Sequence, residues 1–143
     1  MIAVDTNLLV YAHRRDMVLH EPATAALRTC AEGTEAWALP WPCVHEFLAI
    51  VTNPKVFKKP STMEQALSQL RAWLGSPTLV LLRESDDHFE VLARVLVAAK
   101  VNGAKVHDAR IAALCVAHEV RELWSADRDF TRFAGVRTRN PLV

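Results

Sequence analysis

Short apolar runs along the chain alternate with segments in which apolar residues recur every three or four positions. Four such runs predict buried strands, at residues 2–4, 37–39, 78–82 and 121–125. Val136 begins a fifth, shorter one. The segments between the runs predict helices, as where Phe47, Ile50 and Val51 form one apolar stripe. Strands that alternate with helices predict an α/β fold with a central parallel β-sheet.

Turn and capping residues give the expected helix boundaries. Ser61 and Glu64 have the spacing of a capping box, and Gly75 is a natural stop for the helix that follows. The side chains expected to face inward from this helix are Met63, Ala66, Leu67, Leu70 and Leu74. Ser85 or Asp86 is expected to cap the next helix. Its expected apolar face consists of Phe89, Leu92, Ala93 and Leu96.

Length and composition fit a globular protein. The 143 residues are 51% hydrophobic, which suits one domain with a substantial core. No apolar run is long enough to span a bilayer, and the chain shows no signal-peptide pattern, so we expect a cytoplasmic protein. Cys30, Cys43 and Cys115 lack the spacing of a metal or redox site and are expected to be reduced core residues.

The net charge of +1 does not indicate a nucleic-acid-binding protein, although basic residues cluster locally. These clusters are Arg14 and Arg15; Lys55, Lys58 and Lys59; and Arg128, Arg132, Arg137 and Arg139. Such clusters can follow a phosphate backbone, or they can be ordinary solvated surface. The charge pattern leaves both interpretations open.

Four acidic residues, far apart in sequence, each follow a predicted strand or open a predicted helix: Asp5, Glu46, Asp108 and Asp127. In a doubly wound sheet these positions lie at one edge, so the four carboxylates are expected to converge. Two unit charges about 4 Å apart repel by about 4 kcal/mol at an effective dielectric of about 20. Converging carboxylates therefore need shared protons or a cation. Oxygen ligands suit Mg²⁺ or Mn²⁺ better than Zn²⁺.

For Asp5 alone, a simpler interpretation is equally consistent with the sequence. Asp5 precedes Thr6 and Asn7 at the start of a helix and is therefore placed to cap that helix. The three later acids favour the metal site. His45 and His107 adjoin two of the acids, and we expect them to form hydrogen bonds rather than to ligate a metal.

Four motifs together resemble the PIN-domain ribonucleases and, more narrowly, the VapC toxins of bacterial toxin–antitoxin pairs. The motifs are IAVDTN at 2–7, EFLAIVTNP at 46–54, HDARIAA at 107–113 and WSADRDF at 124–130. The resemblance covers the whole chain and places the four acids in the family's order. It implies a single PIN domain over residues 1–143, with a three-layer α/β/α fold around a central parallel sheet.

The resemblance also implies roles for the acids. Asp5 and Asp108 are the expected direct metal ligands, and Asp127 acts directly or through water. Glu46 orients a water molecule or binds a second ion. Asp129 is the alternative to Asp127 as the acid that faces the metal, and we favour Asp127.

Three polar residues would hold these carboxylates in place by hydrogen bonds: Thr6, Asn7 and Ser125. The implied reaction is metal-dependent hydrolysis of RNA, with Mg²⁺ as cofactor and Mn²⁺ able to substitute. It would leave a 5′-phosphate and a 3′-hydroxyl. We expect no covalent intermediate, because no Ser/His/Asp or Cys/His constellation is apparent. The expected substrate is a single-stranded RNA loop, whose splayed bases a protein can contact.

The resemblance further implies a homodimer and a small antitoxin whose C-terminal segment lies across the active-site groove. The apolar stretch 8–11 and the helix that carries Leu48 are candidate surfaces for the antitoxin, although burial in the core is the commoner fate of such residues.

Three other functions stay open at this point. The first is a housekeeping PIN nuclease that processes or repairs RNA. The second is a phosphotransferase of the haloacid dehalogenase type with Asp5 as nucleophile, but the second acid that such enzymes need two residues later is Asn7 here. The third is a module that binds RNA or an antitoxin without cleavage, which the presence of all four acids disfavours.

Overall fold

The computed structural model describes all of residues 1–143, and five parallel strands form its central sheet. The strands are β1 (Ile2–Val4), β2 (Trp37–Pro40), β3 (Leu79–Leu82), β4 (Glu122–Trp124) and β5 (Thr138–Arg139). Their order across the sheet is β3-β2-β1-β4-β5, and every neighbouring pair is parallel. The predicted α/β fold with a central parallel sheet is confirmed.

Six α-helices connect the strands: α1 (Thr6–His13), α2 (His20–Ala31), α3 (Trp41–Val51), α4 (Met63–Leu74), α5 (His88–Ala99) and α6 (Val106–Ala117). Two short 3-10 helices span Gly103–Lys105 and Arg128–Arg132. The chain crosses the sheet in one direction from β1 to β3 and then returns past β1 to β4. Right-handed connections therefore place α1–α4 on one face and α5 and α6 on the other.

Burial fixes the two elements that lead into the acidic residues. Ala3 and Val4 of β1 are fully buried, and Asp5 follows them directly. In α6, every residue from Ile111 to Cys115 is buried, so this part of the helix is apolar around its whole circumference. The position of Asp108 in the first turn of α6 is therefore set by a helix whose middle is held in the core.

The capping residues of α4 differ from the prediction. Thr62, not Ser61, is the N-cap, and it exchanges hydrogen bonds with Gln65 in place of Glu64. The Ser61 hydroxyl is instead 2.9 Å from the ring of His13. A tertiary contact therefore moves the cap by one residue.

The predicted apolar faces of α4 and α5 are also partly wrong. Met63 and Leu74 are exposed, whereas Trp73 is buried. In α5, Phe89 is 74% exposed, and Val91 packs inward. Both helices carry apolar residues on more than one face, so periodicity did not identify the face that is buried.

α5 also begins later than predicted. The N-cap is Asp87 rather than Ser85 or Asp86, and its side chain caps no backbone amide. The Ser85 hydroxyl donates a 2.6 Å hydrogen bond to the Asp87 carboxylate instead.

The apolar stretch after Asp5 is not an exposed surface. Leu8, Leu9 and Val10 are buried in the core, which rules out this part of the proposed antitoxin surface, while Leu48 is partly buried. All three cysteines are free and buried. None of the helices is both long enough and apolar enough to cross a membrane.

Candidate functional site

The candidate site lies where the chain direction across the sheet reverses. From β1 the chain continues to β2, which pairs with β1 on one side. β4, which the chain reaches later, pairs with β1 on the other side. Asp5 follows β1, and Ser125 follows β4, so both lie at the carboxyl edge of the sheet. Ligands of open α/β sheets bind in the crevice at this position.

Both oxygens of the Asp5 carboxylate accept hydrogen bonds. Oδ1 accepts from the backbone amide of Thr6 at 2.8 Å, which caps α1, so the capping role of Asp5 is confirmed. Oδ2 accepts from Ser125 Oγ at 2.7 Å and from Asn7 Nδ2 at 3.2 Å. The residue is only 4% exposed. Burial raises the pKa of Asp5 from 3.8 to about 6, with a further rise from the charges of Glu46 and Asp108.

Asn7 and Ser125 connect Asp5 to the loop that carries the later acids. Asn7 Nδ2 is 3.2 Å from Ser125 Oγ, and Asn7 Oδ1 accepts from the backbone amide of Ala126 at 3.2 Å. Ser125 Oγ in turn accepts from the backbone amide of Asp127 at 3.0 Å. The two polar side chains therefore fix the loop after β4 relative to the end of β1.

Three carboxylates form a compact cluster to which Asp5 does not belong, although the charge of Asp108 contributes to the raised pKa of Asp5. One oxygen from each of Asp108, Asp127 and Asp129 lies within 4.8 Å of the others. Asp127 Oδ1 also accepts from the backbone amide of Asp129 at 2.8 Å, which holds the short 3-10 helix in place. The structure therefore brings Asp129, the alternative to Asp127, to the same cluster, and both acids face Asp108.

Lys105 supplies the positive charge in this cluster. Its Nζ forms an ion pair with Asp129 and is 3.6 Å from Asp108 Oδ2. The ion pair with Lys105 lowers the pKa of Asp129, and it raises the pKa of Lys105. Burial raises the pKa of Asp108 against the opposing effect of Lys105, and the charge of Asp127 raises it further. Sequence analysis missed Lys105, although its spacing three residues before Asp108 was a usable signal.

Glu46 approaches Asp5 from α3, outside the three-carboxylate cluster. Its Oε2 accepts a 2.7 Å hydrogen bond from Thr6 Oγ1, and its charge contributes to the raised pKa of Asp5. The same helix places Cys43 Sγ 3.7 Å from Asp5 Oδ1. No sequence signal identified Cys43 as a neighbour of the site, because its contact depends on how α3 packs against α1.

The donor set suits a hard divalent cation. It contains only carboxylate oxygens, the ligands that Mg²⁺ and Mn²⁺ prefer. His45 and His107 are exposed, and neither belongs to the cluster. Carboxylates this close repel one another, and Lys105 supplies only one balancing charge.

The family model described as "PIN domain" matches residues 2–136 of the chain. The chain belongs to the PIN-domain family. Within this family its similarity is to the VapC ribonucleases. Ribonuclease VapC43 of Mycobacterium tuberculosis is 34% identical over 142 residues, which cover 99% of this chain and 96% of that protein. Ribonuclease VapC37 of Mycobacterium tuberculosis is 33% identical over 141 residues, which cover 99% and 97%.

Solved structures share the fold of this PIN domain. The solved structure of VapBC2 from Rickettsia felis, which is bound to a DNA fragment from the promoter of these proteins, superposes with a TM-score of 0.72 and 20% identity over 98% of each chain. VapC20 of Mycobacterium tuberculosis, described as a sarcin-ricin loop cleaving toxin, gives a TM-score of 0.68 at 17% identity over 96% of this chain and 99% of that chain. The three-layer α/β/α prediction is therefore confirmed.

Proposed function

We propose that the protein is the toxin of a toxin–antitoxin pair and hydrolyses RNA phosphodiester bonds with the help of Mg²⁺, for which Mn²⁺ can substitute. The observation that carries this proposal is the convergence of Asp108, Asp127 and Asp129 within 4.8 Å, together with the buried Asp5, whose pKa the charge of Asp108 helps to raise. Membership of the PIN-domain family and similarity to VapC ribonucleases support RNA as the substrate.

We assign the metal to the carboxylates of Asp5, Asp108 and Asp127. When bound there, the metal supplies positive charge to the phosphoryl oxygens and makes a water molecule more acidic. The hydrogen bonds that Ser125 and Asn7 donate to Asp5 Oδ2 hold this carboxylate in one orientation. Mutation of such supporting hydrogen-bonding residues typically weakens metal affinity by about 10- to 100-fold.

Glu46 is suited to orient the attacking water. Thr6 Oγ1 holds its Oε2, while Oε1 accepts no hydrogen bond from the protein. The free Oε1 can accept a hydrogen bond from the attacking water and take up its proton as the water oxygen bonds to phosphorus. The bond between phosphorus and the 3′-oxygen then breaks, and the 3′-oxygen leaves with the electron pair and is protonated to a hydroxyl. A general base of this kind typically contributes about 10²- to 10⁴-fold to the rate.

The same proposal includes protein partners. We assign the chain to one PIN domain over residues 1–143, with a small antitoxin that covers the acids and a second copy that completes a homodimer. The fold similarity to VapBC2 and the sequence similarity to VapC ribonucleases support the antitoxin partner.

The test is cleavage of RNA by the purified protein, freed of any antitoxin, with Mg²⁺, with Mn²⁺ and with EDTA. We expect cuts that require the metal and are abolished in both Asp5→Asn and Asp108→Asn. Asp86→Asn is the matched control, because Asp86 is an exposed acid outside the site and makes no ion pair. This control variant should retain full activity.

The outcomes separate the proposal from the other functions. Full activity of Asp5→Asn would refute the assignment of the metal site. A covalent acyl-phosphate on Asp5 would establish a phosphotransferase instead. RNA binding without cleavage in any metal would establish a binding module. Cleavage that no antitoxin inhibits would indicate a housekeeping PIN nuclease.

A further inference from the structure

A basic patch lies where helices α1 and α3 end, away from the acidic site. We define the basic patch as Arg14, Arg15, Lys55, Lys58 and Lys59. α1 begins directly after Asp5, and α3, which begins at Trp41, carries Glu46 in its first half. At 1.5 Å per residue, Arg14 lies about 13 Å from Asp5 along the axis of α1.

The side chain of Arg14 holds the two segments of the basic patch together. It is 10% exposed and donates hydrogen bonds to the Lys59 carbonyl at 2.9 Å and to Ser61 Oγ at 3.3 Å. Its guanidinium lies 4.1 Å from the centre of the Phe57 ring and forms a two-pronged ion pair with Asp16. The lysine-bearing loop is therefore fixed to the end of α1.

The other four basic residues of the patch are exposed and make no ion pair: Arg15, Lys55, Lys58 and Lys59. Residues 52–61 contain no acid. The basic patch together with Asp16 contains five of the 17 basic residues and one of the 16 acidic residues. The rest of the chain contains 12 basic and 15 acidic residues. The charge is therefore +4 here and −3 over the rest of the chain.

An open depression of about 530 Å³ adjoins the basic patch, between the ends of α1 and α4. Its lining includes Arg15, Lys59, Ser61 and Gln69, and it contains no hydrophobic residue. An unneutralised positive surface beside a polar depression attracts a polyanion more readily than an apolar partner.

We propose that the basic patch binds the phosphodiester backbone of the substrate RNA at a position removed from the bond that is cut. This inference rests on the proposed ribonuclease function. The basic patch lies about 13 Å from Asp5 along α1, so the phosphates that it binds belong to nucleotides other than the one at the bond that is cut. The acidic site repels RNA, and the basic patch supplies the opposing attraction.

The experiment measures binding of bulk tRNA at several salt concentrations, in an Asp5→Asn background that prevents cleavage. Adding Lys58→Glu and Lys59→Glu is expected to weaken binding by about tenfold or more at moderate salt. Loss of two phosphate contacts should also reduce the slope of log affinity against log salt by about 1.4, at 0.7 per contact for a single strand.

The control is Arg94→Glu with Lys100→Glu in the same background. It changes the net charge by the same amount at two exposed residues that make no ion pair. Circular dichroism and thermal melting establish that all variants are folded. Equal loss of RNA affinity in both double variants would show that net charge alone causes the loss, and it would overturn the inference.

Unchanged RNA affinity in the Lys58 and Lys59 variant would also overturn it and direct the search to an acidic protein partner. That result leaves the proposed function intact as long as the wild-type protein cleaves RNA with a divalent metal. Absence of RNA binding and of cleavage by the wild-type protein would instead refute the proposed function, and this inference with it.

Discussion

Ser125 donates a 2.7 Å hydrogen bond to Oδ2 of Asp5, although 120 positions separate the two residues in the chain. The contact is buried and joins the ends of two neighbouring parallel strands. Ser125 Oγ also accepts from the backbone amide of Asp127. One hydroxyl therefore sets the position of an acid on each side of the site.

Replacing Ser125 by alanine should weaken the metal site without unfolding the protein. The change removes a hydrogen bond that lowers the pKa of Asp5, so this pKa should rise above about 6. The acid limb of the pH–rate profile should move to higher pH, and metal affinity should fall by about 10- to 100-fold. Ser85→Ala is the control, because Ser85 makes a similar bond to an exposed carboxylate, Asp87. A profile identical to that of the wild type would contradict the prediction.

The raised pKa of Asp5 predicts a pH-dependent stability of the metal-free protein. The folded chain holds this proton more tightly than the unfolded chain, whose carboxyl titrates near 3.8. The contribution of Asp5 to the free energy of unfolding therefore falls as pH rises from about 4 to about 6. A shift of about two units corresponds to about 3 kcal/mol at most.

Urea unfolding of the wild type and of Asp5→Asn in EDTA isolates this effect. The stability of the variant relative to the wild type should increase between pH 4 and pH 7. Adding Mg²⁺ at pH 7 should stabilise the wild type far more than the variant, because a ligand that binds only the folded state stabilises it. A stability difference that does not change with pH would show that Asp5 titrates normally.

The elements around the site could be predicted because short, strongly constrained segments determine them. β1 and β4 are runs of only three residues each, all of them buried except Ile2, and each is followed directly by a polar residue of the site. Parallel topology then forces Asp5 and Ser125 to the same edge. The rule predicted that Asp5, Glu46, Asp108 and Asp127 would meet at this edge, but the compact cluster contains Asp108, Asp127 and Asp129, and Asp5 and Glu46 do not belong to it.

The contacts that the sequence did not reveal depend on side-chain directions across elements. Ser61 has the right spacing to cap α4, but His13 contacts its hydroxyl, and Thr62 caps the helix instead. Phe89 has the right spacing for a core position, but α5 presents Val91 to the interior. Local pattern identified these helices, whereas packing decided which of their residues make the contacts.

Lys105 should compete with a metal for the acidic cluster. Its ammonium group pairs with Asp129 and lies 3.6 Å from Asp108 Oδ2. Lys105→Met removes this charge, so we expect tighter Mn²⁺ binding by calorimetry and lower stability of the metal-free protein. Lys100→Met is the control, since Lys100 is exposed and makes no ion pair. Weaker Mn²⁺ binding in Lys105→Met would mean that Lys105 orients the ligands rather than competing with the metal.

Asp127 and Asp129 should differ in their importance for cleavage. Asp127 caps the short 3-10 helix, and its backbone amide is held by Ser125, so its carboxylate is tied to Asp5. Asp129 pairs with Lys105, which lies outside that hydrogen-bond network. We expect Asp127→Asn to lower kcat for RNA cleavage by about 100-fold or more, within the range typical of a lost acid–base group or ligand, and Asp129→Asn to lower it less. The reverse order would assign the metal to Asp129, with Asp127 retained as the residue that caps the 3-10 helix.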